Sequence, residues 1–136
     1  MSWTDSLIRI SDYQVETLQK RLAEIAGRRA ALDMRLAALH AEAEAEAANA
    51  RGNAEAGWYH VGFLQGWRMR KQAIETQMRE TEAEELGARE ALSEAFEELK
   101  KYEQVAEQQR LITARDAARR ATAAMDELGL RRAVGR

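Results

Sequence analysis

The spacing of apolar residues is the strongest constraint on what this chain can fold into. Over about four heptads, one series of positions recurs at alternating steps of three and four: Val15, Leu18, Leu22, Ile25, Arg29, Leu32, Leu36, Leu39 and Ala43. A seam that repeats every 3.5 residues stays on one side of a helix only when that helix supercoils with another. The pattern therefore predicts a coiled coil, and Ser2 with Asp5 predicts a capping box at the start of its first helix.

A second seam with the same spacing follows a glycine-rich stretch. Four of the eight glycines fall between Gly52 and Gly66, and Gly52-Asn53 pairs a helix-ending glycine with a residue that caps helices well. The second seam consists of Trp67, Lys71, Ile74, Met78, Thr81, Glu85, Ala88, Leu92, Ala95, Leu99, Tyr102 and Ala106. We expect one coiled-coil domain over residues 1–136, with helix 1 at about 4–50, a turn at about 51–57 and helix 2 at about 58–130.

Folding the second helix back on the first brings the two seams into register. Leu39 then faces Ile74, and Arg29 faces Glu85, the one strongly polar position in the centre of each seam. An opposed Arg and Glu would disfavour a slipped register, because slippage buries an unpaired charge. The predicted fold class is all-α, a long antiparallel two-helix coiled-coil hairpin whose second helix overhangs at the C-terminus.

Composition excludes the other fold classes. The chain has no proline and eight glycines in 136 residues, so it lacks the turn residues on which hairpins of β-strands and βα units depend. It is rich instead in Ala, Glu, Arg, Leu and Gln, which lose little side-chain freedom in a helix.

Catalytic chemistry has no candidate residues. There is no cysteine, the two histidines His40 and His60 are isolated from other ligands, and the glutamate-rich stretches lack a neighbouring nucleophile. The sequence predicts a protein that is not an enzyme and has no catalytic, cofactor or metal site.

Charge and hydropathy indicate a cytosolic chain without a nucleic-acid partner. The net charge is -2 with acids and bases interspersed, so no global field attracts nucleic acid. The uncharged run 56–67 is far shorter than the ~20 apolar residues of a membrane span, and the N-terminus lacks the order of a signal peptide.

Aromatic residues concentrate beside the expected turn. Trp58, Tyr59, Phe63 and Trp67 lie within ten residues, and the last three are spaced four apart. This spacing predicts one helical stripe, and large aromatics at a hairpin end favour a binding surface. The alternative is a local plug that seals the end of the hairpin.

The C-terminal overhang is locally basic and has its own apolar seam. From Arg110 onward seven arginines stand against three acids. The seam comprises Leu111, Ala114, Ala118, Ala121, Met125 and Leu128, out of phase with the preceding one. Without aromatics to stack on bases, the segment favours a protein partner; the alternative is that the arginines only complement the helix dipole and aid solubility.

Two stretches make the chain resemble the FliJ family of the bacterial flagellar type III export apparatus. Residues 58–67 and the continuation to Gln77 are similar to the aromatic, glutamine-containing start of that family's second helix. Residues 125–132, Met-Asp-Glu-Leu-Gly-Leu-Arg-Arg, are similar to its C-terminal run that ends in basic residues.

The resemblance implies a cytosolic stalk, peripheral to the membrane through the export apparatus, that sits in the export ATPase (FliI) ring, contacts the cytoplasmic part of the gate protein FlhA and also engages export chaperones. It implies gate contacts at Tyr59, Phe63, Trp67, Arg70 and Ile74. It implies ring contacts along the overhang at Leu111, Arg115, Arg119, Met125, Leu128 and Arg131. Residues 41–48 depart from the family, since Ala and Glu replace the tyrosines that some relatives carry late in helix 1.

Two alternatives stay open from the sequence. One is the equivalent stalk of a virulence injectisome, which shares the hairpin and differs in its partners. The other is a generic dimeric coiled-coil scaffold, in which the glycine-rich stretch is a hinge and two chains run side by side.

Overall fold

The computed structural model describes residues 2–52 and 54–135, without the side chain of Ala56. It consists of two helices, α1 at Trp3–Gly52 and α2 at Ala54–Val134, and the described residues form no strand. The two helices pack against each other as an antiparallel hairpin, which confirms the predicted fold class.

The helices are longer, and the connection shorter, than the sequence led us to expect. Residues 51–52 end α1, and residues 54–57 already belong to α2. Helical glycine costs only about 1 kcal/mol relative to alanine, so the glycines of this region remain within the helices. The predicted capping residue Asn53 lies outside the described residues.

The start of α1 is held by the predicted capping box. The backbone N–H of Asp5 donates to Ser2 Oγ at 3.4 Å, and the N–H of Ser2 donates to Asp5 Oδ2 at 3.4 Å. These reciprocal bonds satisfy donors that have no partner within the helix, so the capping-box prediction is confirmed.

Contacts divide the chain into two compact units. In the first, residues 16–52 of α1 pack against residues 54–93 of α2. Its buried side chains alternate along both predicted seams: Ile25, Leu32, Leu39, Thr81, Glu85 and Ala88. Ile25 is the largest fully buried side chain described, at 1% exposure. Few other described side chains are as enclosed, because a two-helix unit buries little beyond its seam.

The second unit combines residues 2–15 of α1 with residues 94–135 of α2. Its buried side chains are Thr4, Ser11, Val15 and Ala95. The half-buried seam continues along α2 to Ala106, and every described residue from 107 to 135 is exposed. The predicted overhang is therefore present as a continuation of α2.

Over the described residues, neither helix contains a stretch both long and apolar enough to span a membrane.

Candidate interaction surfaces

Trp67 lies between the two helices rather than on the outside. Its indole Nε1 donates to the backbone oxygen of Leu39 at 2.7 Å. The ring meets His40 edge to face, with 5.6 Å between ring centroids, and Lys71 Nζ lies 5.4 Å from the centroid of the Trp67 ring. These contacts anchor α2 to α1, and they leave Trp67 half-buried.

Phe63 lies one turn before Trp67 on a neighbouring part of the α2 surface. Its ring stacks on His60, with 6.4 Å between centroids, and both residues are half-buried. Ile74 is also half-buried on the same seam. Three of the five predicted gate contacts are thus partly occupied by packing within the hairpin.

Tyr59 is separated from the other two members of the predicted stripe. It is 68% exposed, and its ring lies edge to face against Trp58, which is 79% exposed. Each step of four residues turns the side chain about 40° past a full helical turn, so Tyr59 faces about 80° away from Trp67. The predicted stripe is therefore two surfaces, an inner pair at Phe63 and Trp67 and an outer pair at Trp58 and Tyr59.

Sequence reasoning left out the apolar side chains on the outer side of α2. Val61 and Met69 are exposed together with Trp58. Two sequence features indicate this apolar surface. The three residues repeat at helical spacing between the seam positions, and the stretch 56–67 carries no charge. We call Trp58, Tyr59, Val61 and Met69 the tip surface.

Arg70 is the exposed polar member of the predicted gate contacts. Its Nη1 lies 3.1 Å from Glu42 Oε2 on α1, and both side chains are about half exposed. A pair in that environment contributes little to stability, so the guanidinium remains available to a partner.

The overhang presents every predicted ring-contact residue to solvent. Leu111 is 50% exposed and Leu128 is 55% exposed, and Met125, Arg115 and Arg119 are exposed as well. Arg131 pairs with Glu127 on its own helix, with 3.1 Å between Nη2 and Oε1. No other described segment covers this seam, so its apolar residues form an unpartnered face.

An ionic cluster crosses the middle of residues 16–93. Arg29 Nη1 lies 3.0 Å from Glu85 Oε2, and Arg89 Nη2 lies 2.6 Å from Glu85 Oε1. Glu85 has a side chain only 11% exposed. The hydrogen bond that Arg29 donates to Glu85, followed by the charges of Glu85 and Glu82, raises the pKa of Arg29 above its ordinary value.

A second ion pair, Arg28 with Glu84, lies beside this cluster on the exposed side of the helices. Its hydrogen bond and charge raise the pKa of Arg28 and lower the pKa of Glu84. Both clusters join α1 to α2 close to the predicted register, and the structure brings Arg29 and Glu85 together. Their role in excluding other registers stays a prediction.

Among the described residues, no group of three or more His, Cys, Asp or Glu side chains is placed to hold a metal ion. The exposed features of the described residues are the apolar and aromatic side chains of the tip surface and the apolar seam, flanked by arginines, on the overhang.

Comparison of the sequence with known proteins identifies the family of the chain. Two flagellar FliJ proteins, from two strains of Caulobacter vibrioides, are each 55% identical to it over 132 residues, which is 97% of this chain and 95% of the relative. No family model matches the chain, and no solved structure matches it. With more than half of the residues identical over nearly the whole length of both proteins, the chain belongs to the FliJ family.

Proposed function

We propose that this chain is a non-enzymatic component of the bacterial flagellar protein export apparatus, and that it acts there as a stalk between the export ATPase ring and the export gate. Family membership supports the flagellar assignment, because the relatives are flagellar proteins by name. The same name favours a flagellar system over an injectisome.

The overhang is the observation that carries the stalk proposal. Every described residue from 107 to 135 is exposed, yet residues 107–134 form a continuous helix with an apolar seam. Helices in proteins owe most of their stability to the packing of an apolar face, and an exposed apolar seam is typical of a helix that completes its packing with a partner. The proposed ring contacts are Leu111, Arg115, Arg119, Met125, Leu128 and Arg131.

The tip surface supports a separate contact with the gate. Trp58 and Tyr59 present two aromatic rings to solvent, and aromatic side chains are enriched among residues that dominate protein interfaces. Arg70 adds a charge nearby on the same helix. In this proposal Phe63, Trp67 and Ile74 position the tip surface through their packing, and each retains an exposed part for the gate.

In this proposal, the two partners are coupled because both bind α2, which is one continuous helix. The tip surface and the overhang both belong to this one helix, so each partner contacts a different part of a single element. A stalk of this kind needs no catalytic residue, since it couples two partners through the contacts that it makes in their different states.

The proposed location is the cytoplasmic side of the export apparatus, where the ATPase ring, the gate and the export chaperones are accessible. The alternative of an open scaffold is disfavoured, because the seam of α1 is already covered by α2 of the same chain.

Binding of the purified chain to the co-encoded export ATPase and to the cytoplasmic domain of the gate protein tests the proposal. We expect truncation after Arg110 to abolish ATPase binding and to leave gate binding intact. Trp58→Ala with Tyr59→Ala should do the reverse, while Ile10→Ala, at an exposed apolar residue outside both surfaces, should change neither. A wild-type chain that binds neither partner would contradict the proposed function.

A further inference from the structure

The apolar seam of the overhang has a symmetric spacing and a nearly symmetric order of side-chain sizes. Its spacing alternates three, four, three, four and three residues, in the order Leu111, Ala114, Ala118, Ala121, Met125 and Leu128. A leucine stands at each end and two alanines stand in the centre. Read backwards, the seam has the same spacing and nearly the same order of sizes.

Such a seam is complementary to a second copy of itself. In an antiparallel pair, Leu111 of one copy faces Leu128 of the second, Ala114 faces Met125, and Ala118 faces Ala121. A two-fold interface requires this reciprocity, because residue i contacts residue j while j contacts i. The centre of the seam, between Arg119 and Arg120, then coincides with the two-fold axis.

We propose that the overhangs of two copies of this chain pair antiparallel through this seam and join the chains as a homodimer. The paired segment, residues 111–128, is about 27 Å long at about 1.5 Å per residue. The central alanines permit a close approach of the helices, toward the short end of the usual ~8–10 Å interaxial range. The leucines at both ends shield the small centre from water.

Charges at the two ends of the paired segment agree with this register. Arg132 of one copy lies opposite Glu107 of the second, and Arg131 lies opposite Gln108. The two-fold axis repeats the Arg132–Glu107 pair at the other end. Inside the segment, Arg115 is level with Ala124 and Thr122 with Ala117. Arg119 and Arg120 are level with each other at the axis, on the side of each helix that faces away from the seam.

Exposure in the single chain is consistent with such a partner. Leu111, Met125 and Leu128 are all at least half exposed, and together they are the larger apolar side chains of the seam. Among the described residues, Arg132 takes part in no ion pair, whereas its neighbour Arg131 pairs with Glu127. Pairing would cover the apolar side chains and supply a carboxylate to Arg132.

The seam is also the surface proposed above for the ATPase ring. One copy cannot offer the same side chains to a second copy and to the ring, so the dimer would be a form in which ring binding is blocked. This consequence rests on the proposed function, whereas the dimer itself does not.

Sedimentation velocity of the full-length chain, from low to several hundred micromolar, tests the pairing. We expect the mass to rise from 15.4 kDa toward twice that value with concentration. Leu111→Asp with Leu128→Asp should weaken self-association by about tenfold or more. Ala123→Asp, which adds a charge on the opposite side of the same helix, should leave it unchanged.

Disulfide cross-linking tests the antiparallel direction, since the chain has no cysteine of its own. A chain with Ala114→Cys mixed with a chain with Met125→Cys should form the mixed disulfide well ahead of either homodimer. Ala123→Cys should cross-link with neither. Homodisulfides of Ala114→Cys in preference to the mixed species would indicate parallel pairing and overturn the proposal.

A wild-type chain that stays monomeric at every concentration would also overturn it. If that chain still binds the ATPase and the Leu111→Asp, Leu128→Asp variant does not, the seam serves the ring alone. The proposed function would then stand without the dimer, and the two proposals are separated by the same set of variants.

Discussion

Arg29 on α1 and Glu85 on α2 lie opposite each other across the hairpin, with 3.0 Å between Nη1 and Oε2. Glu85 also accepts from Arg89, one turn further along its own helix. The carboxylate is the least exposed acidic group described in the ion pairs of this chain. Arg89 and Glu85 lie on the same helix, so only the bond from Arg29 depends on the register of α1 and α2.

Replacing one residue of this pair should lower the melting temperature more than replacing both. Glu85→Leu leaves Arg29 without its carboxylate, and Arg29→Leu leaves Glu85 with Arg89 alone, so each single variant should melt below the wild type. The double variant Arg29→Leu with Glu85→Leu should recover much of the loss, because two leucines extend the apolar seam. Thermal melting followed by circular dichroism gives all four midpoints, and strictly additive shifts would show that the two residues do not interact.

The same double variant tests the role of the pair in fixing the register. We expect it to remain helical but to populate more than one alignment of α1 and α2, because it lacks the charged pair at the centre of the two seams. Disulfide trapping between single cysteines introduced on the two helices should give one product in the wild type and several in the double variant. A single product in both would contradict the register role.

The ion pair of Arg28 with Glu84 should make stability depend on pH in the acid range. Arg28 lowers the pKa of Glu84 below its ordinary value of 4.5, so the folded chain holds this carboxylate ionised where the unfolded chain protonates it. The contribution is present above about pH 4.5 and is lost as the pH falls through the lowered pKa of the folded state. Wild type and Glu84→Gln should therefore differ in free energy of unfolding at pH 7 and converge in acid; a difference independent of pH would exclude this origin.

Ile25 should dominate the apolar stability of the hairpin. It is 1% exposed, and removing a buried aliphatic side chain leaves a cavity as well as losing its transfer free energy. We expect Ile25→Ala to lower the free energy of unfolding by about 2–4 kcal/mol. Ile10→Ala makes the same change at an exposed site and should cost less than about 0.5 kcal/mol. Urea unfolding of the two variants measures the contrast, and equal losses would contradict the burial.

The heptad pattern was sufficient to predict the hairpin, because supercoiled helices bury only their seams and the seam can be read directly from the sequence. Ile25, Leu32 and Leu39 on α1 are buried where the spacing placed them, as is Ala88 on α2. The turn was harder to place. Gly52 and Gly57 suggested a broad break, yet a helix tolerates single glycines at modest cost, and both residues are helical.

The candidate surfaces were only partly predictable. Residues 111–128 were expected to overhang and do, since the length of α1 limits how much of α2 it can cover. Tyr59, Phe63 and Trp67 were expected on one stripe, but spacing by four residues drifts around the helix, and the indole of Trp67 bonds to Leu39. A sequence pattern gives the spacing of side chains, whereas it does not show which side of a helix the partner will occupy.

Trp67 and Trp58 should separate structural and binding roles at the tip. Trp67→Phe removes the hydrogen bond to the oxygen of Leu39 and should lower the free energy of unfolding by about 1 kcal/mol. Trp58→Phe removes no hydrogen bond described in the structure and should change stability by less than about 0.5 kcal/mol. Urea unfolding distinguishes the two variants.

Binding to the cytoplasmic domain of the gate should depend more on the exposed ring of Trp58 than on the hydrogen bond of Trp67. Trp58→Ala should weaken binding by about tenfold or more, as expected for an aromatic side chain at an interface, while its helix content and melting temperature stay near those of the wild type. Trp67→Phe keeps an aromatic ring in the same place and should bind nearly as well as the wild type at temperatures where it is folded. If Trp67→Phe weakened gate binding and Trp58→Ala did not, the inner pair would be the contact and the tip surface would have another role.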